Sequence, residues 1–137
     1  MARQVEIIMA RSPSEIEASF ERMRSIGAEG VLVTVDAFYL TQANHLVALG
    51  SHHSLPTISW RREFCDAGGL MCYGANPKEA YVQVGAYAGR ILKGERPGDL
   101  PIVQSATLEL VINLKAARAL GITVPPMLLA RADEVIE

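Results

Sequence analysis

Short apolar runs alternate with longer amphipathic segments along residues 1–94, and this alternation constrains the fold more than any other feature of the chain. Two helix starts divide the pattern, at Ser12-Pro13-Ser14-Glu15 and at Asn76-Pro77-Lys78-Glu79. In each, a capping side chain precedes a proline, and a glutamate occupies the third helical position. The cap and the glutamate each accept from an otherwise unsatisfied amide, and the proline has no amide to satisfy. Both segments therefore predict the beginning of an α-helix.

Four apolar runs predict strands, and the segments between them predict helices. The predicted strands are Gln4–Met9, Gly30–Val35, Pro56–Trp60 and Gly69–Tyr73; the predicted helices run from Pro13 to Gly27, from Tyr39 to Gly50 and from Pro77 to the stop at Gly94. Residues 61–63 are expected to be a polar connection. Because strands and helices alternate, the fold class is α/β, a doubly wound and mainly parallel sheet with helices on both faces and right-handed crossovers.

The C-terminal part of the chain has a different pattern. Residues 99–105 and 109–113 predict two strands close together in sequence, a short helix is expected over 114–120, and a last turn or short helix over 127–135. The composition changes near residues 94–98. We therefore place the one candidate boundary there, dividing the chain into residues 1–98 and 99–137.

Composition excludes several classes of protein. The 137 residues are 50% hydrophobic, which is ample for a packed core, and the 13 basic against 15 acidic residues provide no basic face for nucleic acid or an anionic membrane. No apolar run reaches the roughly 18 residues of a membrane span, and the N-terminus carries charges where a signal peptide needs an apolar core. As written, the chain is expected to be cytoplasmic.

The sequence contains none of the common enzyme or metal-binding motifs. It has no nucleophile elbow, phosphate-binding loop or dinucleotide fingerprint, and its three histidines lie on or just after one predicted helix. Cys65 and Cys72 lack the paired spacing of a zinc site. Both are expected to be free thiols, with a disulfide between them as the alternative. We therefore expect no catalytic residue, metal or cofactor.

Side chains at the carboxyl ends of the predicted strands are the candidate binding residues, because ligands of open parallel sheets bind there. The set is Asp36, Phe38, Trp60, Glu63, Tyr73 and Asn76. Aromatic walls combined with charges of both signs suit a small zwitterionic or carboxylated ligand.

Each of these residues also has a purely structural interpretation. Asp36 and Asn76 are well placed to cap helices, and Phe38 and Trp60 could belong to the core. The two arginines that follow Trp60 are more typical of a solvated surface. These alternatives stay open at the level of sequence.

Two segments of the chain resemble a known family. One is REFCDAGGLMCYGAN at residues 62–76, and the other is ELVINLKAARALGITVPPMLLARADEVIE at residues 109–137. Both are similar to ABC-transporter substrate-binding proteins of the tryptophan/tyrosine-binding type, which have the periplasmic-binding-protein-like type I fold.

The resemblance implies a two-lobed clamshell that captures a small organic solute, such as an amino acid, and delivers it to an ABC permease. Only the C-terminal lobe and tail are matched. Residues 1–98 would be the α/β ligand-binding lobe, and residues 99–137 the crossover strands and the tail that packs on a partner lobe or subunit. Complete family members would be periplasmic or anchored outside the cytoplasmic membrane.

A lone lobe has physical consequences. With one wall of the cleft missing, a ligand stays half exposed and its affinity falls. Apolar surface at residues 108–112 and 127–136 would lose its partner, so a homo-oligomer formed through the tail is expected. The alternative function is that of an oligomeric structural fragment that has lost ligand binding. A small enzyme using Glu63, Cys65 and Asp66 ranks third.

Overall fold

The computed structural model describes residues 4–103 and 107–137, which form five strands and seven α-helices. The strands are β1 (Val31–Val33), β2 (Thr57–Ser59), β3 (Met71–Ala75), β4 (Leu108–Asn113) and β5 (Glu134–Ile136). The helices are α1 (Pro13–Ser25), α2 (Ala37–Thr41), α3 (Ala43–His52), α4 (Arg62–Asp66), α5 (Pro77–Leu92), α6 (Leu114–Ala119) and α7 (Pro126–Leu129). A 3-10 turn spans Pro97–Asp99.

The two predicted helix starts are confirmed. The Ser12 hydroxyl accepts from the Glu15 amide at 3.2 Å, and Glu15 in turn accepts from the Arg11 amide at 2.7 Å. The Asn76 side chain accepts from the Lys78 amide at 2.9 Å. Each cap satisfies an amide that has no partner inside its helix, and so fixes where the helix begins.

The strands form one sheet in the order β1-β2-β3-β4-β5. β1, β2 and β3 are parallel neighbours, β4 is antiparallel to β3, and β5 is parallel to β4. The predicted α/β fold with a mainly parallel sheet is therefore confirmed. β4 and β5 belong to the same sheet as β1 to β3, and the boundary proposed at residues 94–98 follows α5 and extends into the 3-10 turn.

One face of the sheet carries the core. Val33, Ser59, Cys72 and Val111 lie in successive strands on this face and are all buried. Helices α1, α3 and α4 cover them with the buried side chains of Ile16, Phe20, Leu46, Val47 and Phe64. Most of the apolar surface buried on folding lies here, and its removal from water drives folding.

The opposite face of the sheet is apolar and partly open. We call it the apolar sheet face; it consists of Leu32, Ile58, Met71, Tyr73, Leu108 and Leu110. Leu32 is 71% exposed and Tyr73 is 55% exposed. Leu128 of α7 lies at the margin of a shallow concavity of about 840 Å³ over this face. Parallel sheets normally bury both faces, so this surface is unusual for its fold.

The strand predicted at Gln4–Met9 is wrong. The segment has no strand partner in the described structure, and Val5 and Ile7 are 83% and 85% exposed. It is held beside α1 by an ion pair from Arg22 to Glu6 at 2.6 Å. An alternating apolar pattern gives a strand only when a neighbouring strand provides hydrogen bonds, and β1 provides none here.

Two further expectations about helices need correction. The helix predicted over residues 39–50 is two helices, α2 and α3, which meet at Gln42. The connection predicted at residues 61–63 contains the start of α4, which begins at Arg62 without a side-chain cap. The absence of a capping residue explains why the sequence did not indicate this helix.

The C-terminal elements differ in part from expectation. Residues 99–103 form the end of the 3-10 turn and a segment without regular secondary structure rather than a strand, and the rest of that predicted strand lies outside the described residues. The strand at 109–113 and the helix at 114–120 are confirmed as β4 and α6. Residues 127–135 were expected to be one turn or short helix, but they contain most of α7 and the beginning of β5. Three residues are too short for periodicity to reveal β5.

Candidate functional site

A charged cleft lies at the edge of the sheet where β2 and β3 end. We call it the edge cleft; it encloses about 440 Å³. Because β4 is antiparallel to β3, the start of β4 meets the end of β3, and the start of β5 lies beside it. The side chains that define the cleft are Trp60, Arg61, Arg62, Glu63, Asp66, Asn76, Lys78, Glu109, Asp133 and Glu134.

One wall of the cleft is formed by Trp60, Arg61 and Glu63. The Arg61 guanidinium carbon lies 5.1 Å from the centre of the Trp60 ring, within the range of a cation–π contact. Arg61 also forms a two-pronged ion pair with Glu63, with Nε 2.9 Å from Oε2. The hydrogen bond from Arg61 holds the pKa of Glu63 below its usual value, and the same bond raises the pKa of Arg61. Both groups are therefore charged at neutral pH.

A second ion pair crosses the floor of the cleft. Arg62 donates to both carboxylate oxygens of Glu134, with Nη2 2.7 Å from Oε1, and its Nε lies 3.4 Å from Asp66. The hydrogen bond from Arg62 lowers the pKa of Glu134. This pair connects α4 to β5 and so fixes the C-terminal strand against the cleft.

A second wall comes from the end of β3 and the start of β4. The Asn76 amide nitrogen donates to Glu109 at 2.5 Å while its oxygen caps α5. Asp133 accepts from the Leu110 amide at 2.7 Å. The acidic side chains are thus held in place by hydrogen bonds, which gives the cleft a defined distribution of charge.

Gly74 allows β3 to approach the main chain of Trp60. A Cβ atom added at Gly74 would lie 2.1 Å from the Trp60 carbonyl oxygen and 3.0 Å from its carbonyl carbon. No side chain fits there without moving the backbone. The close approach sets the position of Trp60 relative to β3.

The structure brings together three of the six candidate residues named from the sequence. Trp60, Glu63 and Asn76 all line the edge cleft. Tyr73 lies on the apolar sheet face instead, two residues before the cleft wall formed by Ala75.

The other two candidates lie outside the edge cleft. Asp36 is exposed and caps α2, where it accepts from the Phe38 amide at 2.7 Å. Phe38 is half-buried, packs against the core, and has its ring centre 5.6 Å from that of Tyr39. Their role in binding stays a prediction.

Four acidic cleft residues were not among the candidates: Asp66, Glu109, Asp133 and Glu134. Three of them come from β4, β5 and the turn before β5, more than 30 positions after Asn76. Only the antiparallel register, in which Glu109 pairs with Gly74, places this segment at the cleft. The sequence predicts a strand at residues 109–113, but it does not predict the direction in which that strand runs.

The edge cleft suits a small ligand that carries an ammonium group. Its lining contains five carboxylates, against the two arginines and Lys78. Trp60 offers an aromatic surface beside them. No group of three side chains suited to holding a metal ion occurs in residues 4–103 and 107–137, and no helix in that part of the chain is long and apolar enough to cross a membrane.

Comparison with solved structures identifies similar folds. The chain superposes on a conserved domain protein from Vibrio cholerae with a TM-score of 0.83 at 23% identity, over 92% of this chain. It superposes on an ABC domain from Streptococcus pneumonia, solved in complex with L-Trp, with a TM-score of 0.81 at 28% identity over 91% of this chain. A ligand-free, open substrate-binding protein with adhesive properties from Clostridium difficile gives a TM-score of 0.65 at 20% identity over 93% of this chain.

The chain spans 42% of the length of each of these three proteins. No curated protein sequence matches it significantly. The sequence profile of the ABC transporter substrate-binding proteins, in contrast, matches residues 2–136. The chain therefore belongs to the ABC transporter substrate-binding protein family.

Proposed function

We propose that the chain is the C-terminal lobe of a solute-binding protein and that its edge cleft holds an amino acid. The observation that carries this proposal is the pairing of Trp60 with an excess of carboxylates around two arginines and Lys78. An amino acid has one ammonium, one carboxylate and a side chain, and the cleft offers a partner for each.

Each group of the ligand has an expected partner. The ammonium would lie near Glu109 and Asp133, whose side chains are already held by Asn76 and by the Leu110 amide. The carboxylate would bind Lys78, or Arg61 in competition with Glu63. An apolar side chain would stack on Trp60, since it is the one aromatic residue in this cleft wall. The L-Trp bound to the streptococcal relative is consistent with such a ligand.

The lone lobe is expected to bind weakly. Ligands in closed pockets lose 70–90% of their exposed surface, and a single wall provides only part of that burial. In the whole protein, a second lobe would close over the ligand and the complex would deliver it to an ABC permease outside the cytoplasm.

Calorimetric titration tests the proposal. L-tryptophan should bind saturably, while tryptamine, which lacks the carboxylate, and indole-3-propionate, which lacks the ammonium, should each bind more weakly. D-tryptophan serves as the matched control, because it keeps all three groups in a different arrangement. Equal heats for all four compounds, or no saturable binding of any amino acid at millimolar concentration, would contradict the proposal.

A second candidate function rests on a different observation, the open apolar sheet face. Leu32, Tyr73 and Leu108 are all at least half exposed, which suits an oligomeric fragment that associates without binding a ligand. In the tail, Met127 is 81% exposed, whereas Ile112 of β4 is buried within the chain itself. A flat ligand titration together with self-association would favour this candidate.

A further inference from the structure

Cys65 and Cys72 come from different elements and meet inside the core. Cys65 lies on α4 and Cys72 on β3, and both are buried, with 0% and 2% of their surface exposed. Each thiol affects the other, since Cys72 raises the pKa of Cys65 and Cys65 lowers the pKa of Cys72. Both also adjoin Val111 of β4: the Cys65 sulfur lies 3.7 Å from its carbonyl oxygen, and Cys72 is its partner in the sheet register.

The surroundings hold the two cysteines in this arrangement. Asn113, which is buried, donates from its side chain to the Cys65 carbonyl oxygen at 3.1 Å and so fixes the main chain of α4. Cys72 is fixed by the ladders on both sides of β3. The sulfur atoms are therefore neighbours because the fold places them together, and not because a flexible loop can reach.

We propose that Cys65 and Cys72 form an intrachain disulfide that joins α4 to β3 behind the edge cleft. α4 carries Glu63 and Asp66 of the cleft, and β3 ends at the opposite wall. One covalent bond between these elements fixes the spacing of the two walls. The family is extracytoplasmic, and disulfides form and persist in such oxidising compartments.

The reaction is a thiol–disulfide exchange with a disulfide-bearing oxidant, such as oxidised glutathione or an oxidoreductase. The thiolate of one cysteine attacks one sulfur of the oxidant, which releases one thiolate and leaves a mixed disulfide. The thiolate of the other cysteine then attacks the protein sulfur of this mixed disulfide and releases the second. The protein loses two protons and two electrons, and the oxidant is reduced to two thiols.

Both sulfurs are buried in the folded chain, so the exchange takes place before α4 packs on β3. Either thiolate makes the first attack, since the contact between the two thiols has not yet formed at that stage.

The test is to refold the chain in a series of glutathione redox buffers, block free thiols with a maleimide under denaturing conditions, and measure the intact mass. In oxidising buffers, both cysteines should become unreactive and the chain should lose the mass of two hydrogen atoms. Trypsin alone leaves both cysteines in the peptide Glu63–Lys78, so a second cleavage before Asp66 is needed to show two peptides joined by the bond.

The effect of the bond on stability is measured by comparing the oxidised and reduced forms of the native chain. The oxidised form should unfold at a higher denaturant concentration than the reduced form, because the bond limits the unfolded chain. The double variant Cys65→Ser with Cys72→Ser should show no difference between the two buffers. Neither readout requires a ligand, so a failure of the proposed binding function would leave this result intact.

Three outcomes would overturn the inference. In the first, both thiols stay reactive at every glutathione ratio. In the second, the disulfide joins two chains, which a non-reducing gel reveals. In the third, the bond forms but leaves the unfolding midpoint unchanged, which would mean that it does not restrain α4 against β3.

Discussion

Arg62 and Glu134 lie 72 positions apart in the sequence and form a two-pronged ion pair that joins α4 to the last strand of the sheet. The strand itself is short and lies at the edge of the sheet, with β4 as its neighbour. The ion pair therefore adds a side-chain restraint to the ladder with β4 and to the packing of Ile136 on the core.

Replacing Glu134 by Gln should lower the stability of the chain near neutral pH and much less in acid. The hydrogen bond from Arg62 lowers the pKa of Glu134, so its contribution is complete above the ordinary glutamate pKa. As the pH falls through the lowered value, the carboxylate takes up a proton and the contribution is lost. Urea midpoints measured from neutral pH down to acid should therefore converge for the two proteins.

Glu137→Gln is the control for this prediction, because it removes the same charge from the same tail without touching Arg62. It should leave the midpoint nearly unchanged at every pH. A gap between the Glu134→Gln protein and the unmodified protein that persists in acid would show that the effect comes from packing and not from the ion pair. The effect should also shrink at high salt, because both side chains are partly exposed.

Gly74→Ala should destabilise the chain and displace Trp60. The added methyl group would lie 2.1 Å from the Trp60 carbonyl oxygen, so the backbone of one strand must move. Overpacking of this kind typically costs about 1–3 kcal/mol. The emission of Trp60, the one tryptophan in the sequence, should shift at the same time.

Gly85→Ala is the matched control for that substitution. Gly85 lies within α5, and a Cβ atom there meets nothing within 4 Å. Alanine should therefore stabilise the helix by roughly 0.5–1 kcal/mol without changing the tryptophan emission. If Gly74→Ala were as stable as Gly85→Ala, the close approach of β3 to Trp60 would not exist in solution.

The helix starts and the fold class could be predicted from sequence because their causes are local. Capping depends on a few adjacent residues, as at Ser12 and Asn76, and the alternation of strands and helices survives small errors in their bounds. The prediction of a strand at Gln4–Met9 was wrong because strand formation has a non-local cause. Its apolar pattern is that of a strand, but pairing depends on a neighbour, and β1 offers it none.

The edge cleft was half predictable. Trp60, Glu63 and Asn76 follow strands whose direction the parallel rule fixes, so their positions could be derived. Glu109 and Glu134 could not, because they reach the cleft through the antiparallel pairing of β4 with β3 and through a three-residue strand. Asp36 shows a third case, in which a residue at a strand end caps a helix away from the cleft.

Glu63→Gln should change which ligand groups the edge cleft prefers. In the native chain, Glu63 forms an ion pair with the Arg61 guanidinium, which lies beside Trp60. Without that carboxylate, Arg61 is available to a ligand carboxylate, and one negative charge is lost near a ligand ammonium. 3-phenylpropionate should therefore bind more tightly and phenethylamine more weakly, each by roughly two- to fivefold, as expected for a partly exposed charge pair.

Titrations followed by Trp60 emission measure both affinities, because neither compound emits where tryptophan does. Glu79→Gln is the control, because it removes one negative charge as Glu63→Gln does but from a residue that does not line the cleft. It should change both affinities slightly and in the direction expected from net charge alone. If both ligands bound more tightly, or both more weakly, to the Glu63→Gln protein, this would count against a role for Arg61 in binding a carboxylate.

The apolar sheet face should make the chain self-associate, and Leu32→Lys with Leu108→Lys should abolish this. Leu32 is 71% exposed on β1 and Leu108 is 50% exposed at the start of β4, so neither substitution removes a core contact. Charges on both sides of the face would have to lose their hydration on association, which is strongly unfavourable. Sedimentation velocity over a range of concentrations should show an oligomer for the native chain and a monomer for the double variant.

Leu92→Lys is the control, because Leu92 is 87% exposed on α5 and does not belong to the face. A native chain that stays monomeric at the highest concentration, or a Leu92→Lys variant that dissociates equally, would show that this face does not drive association.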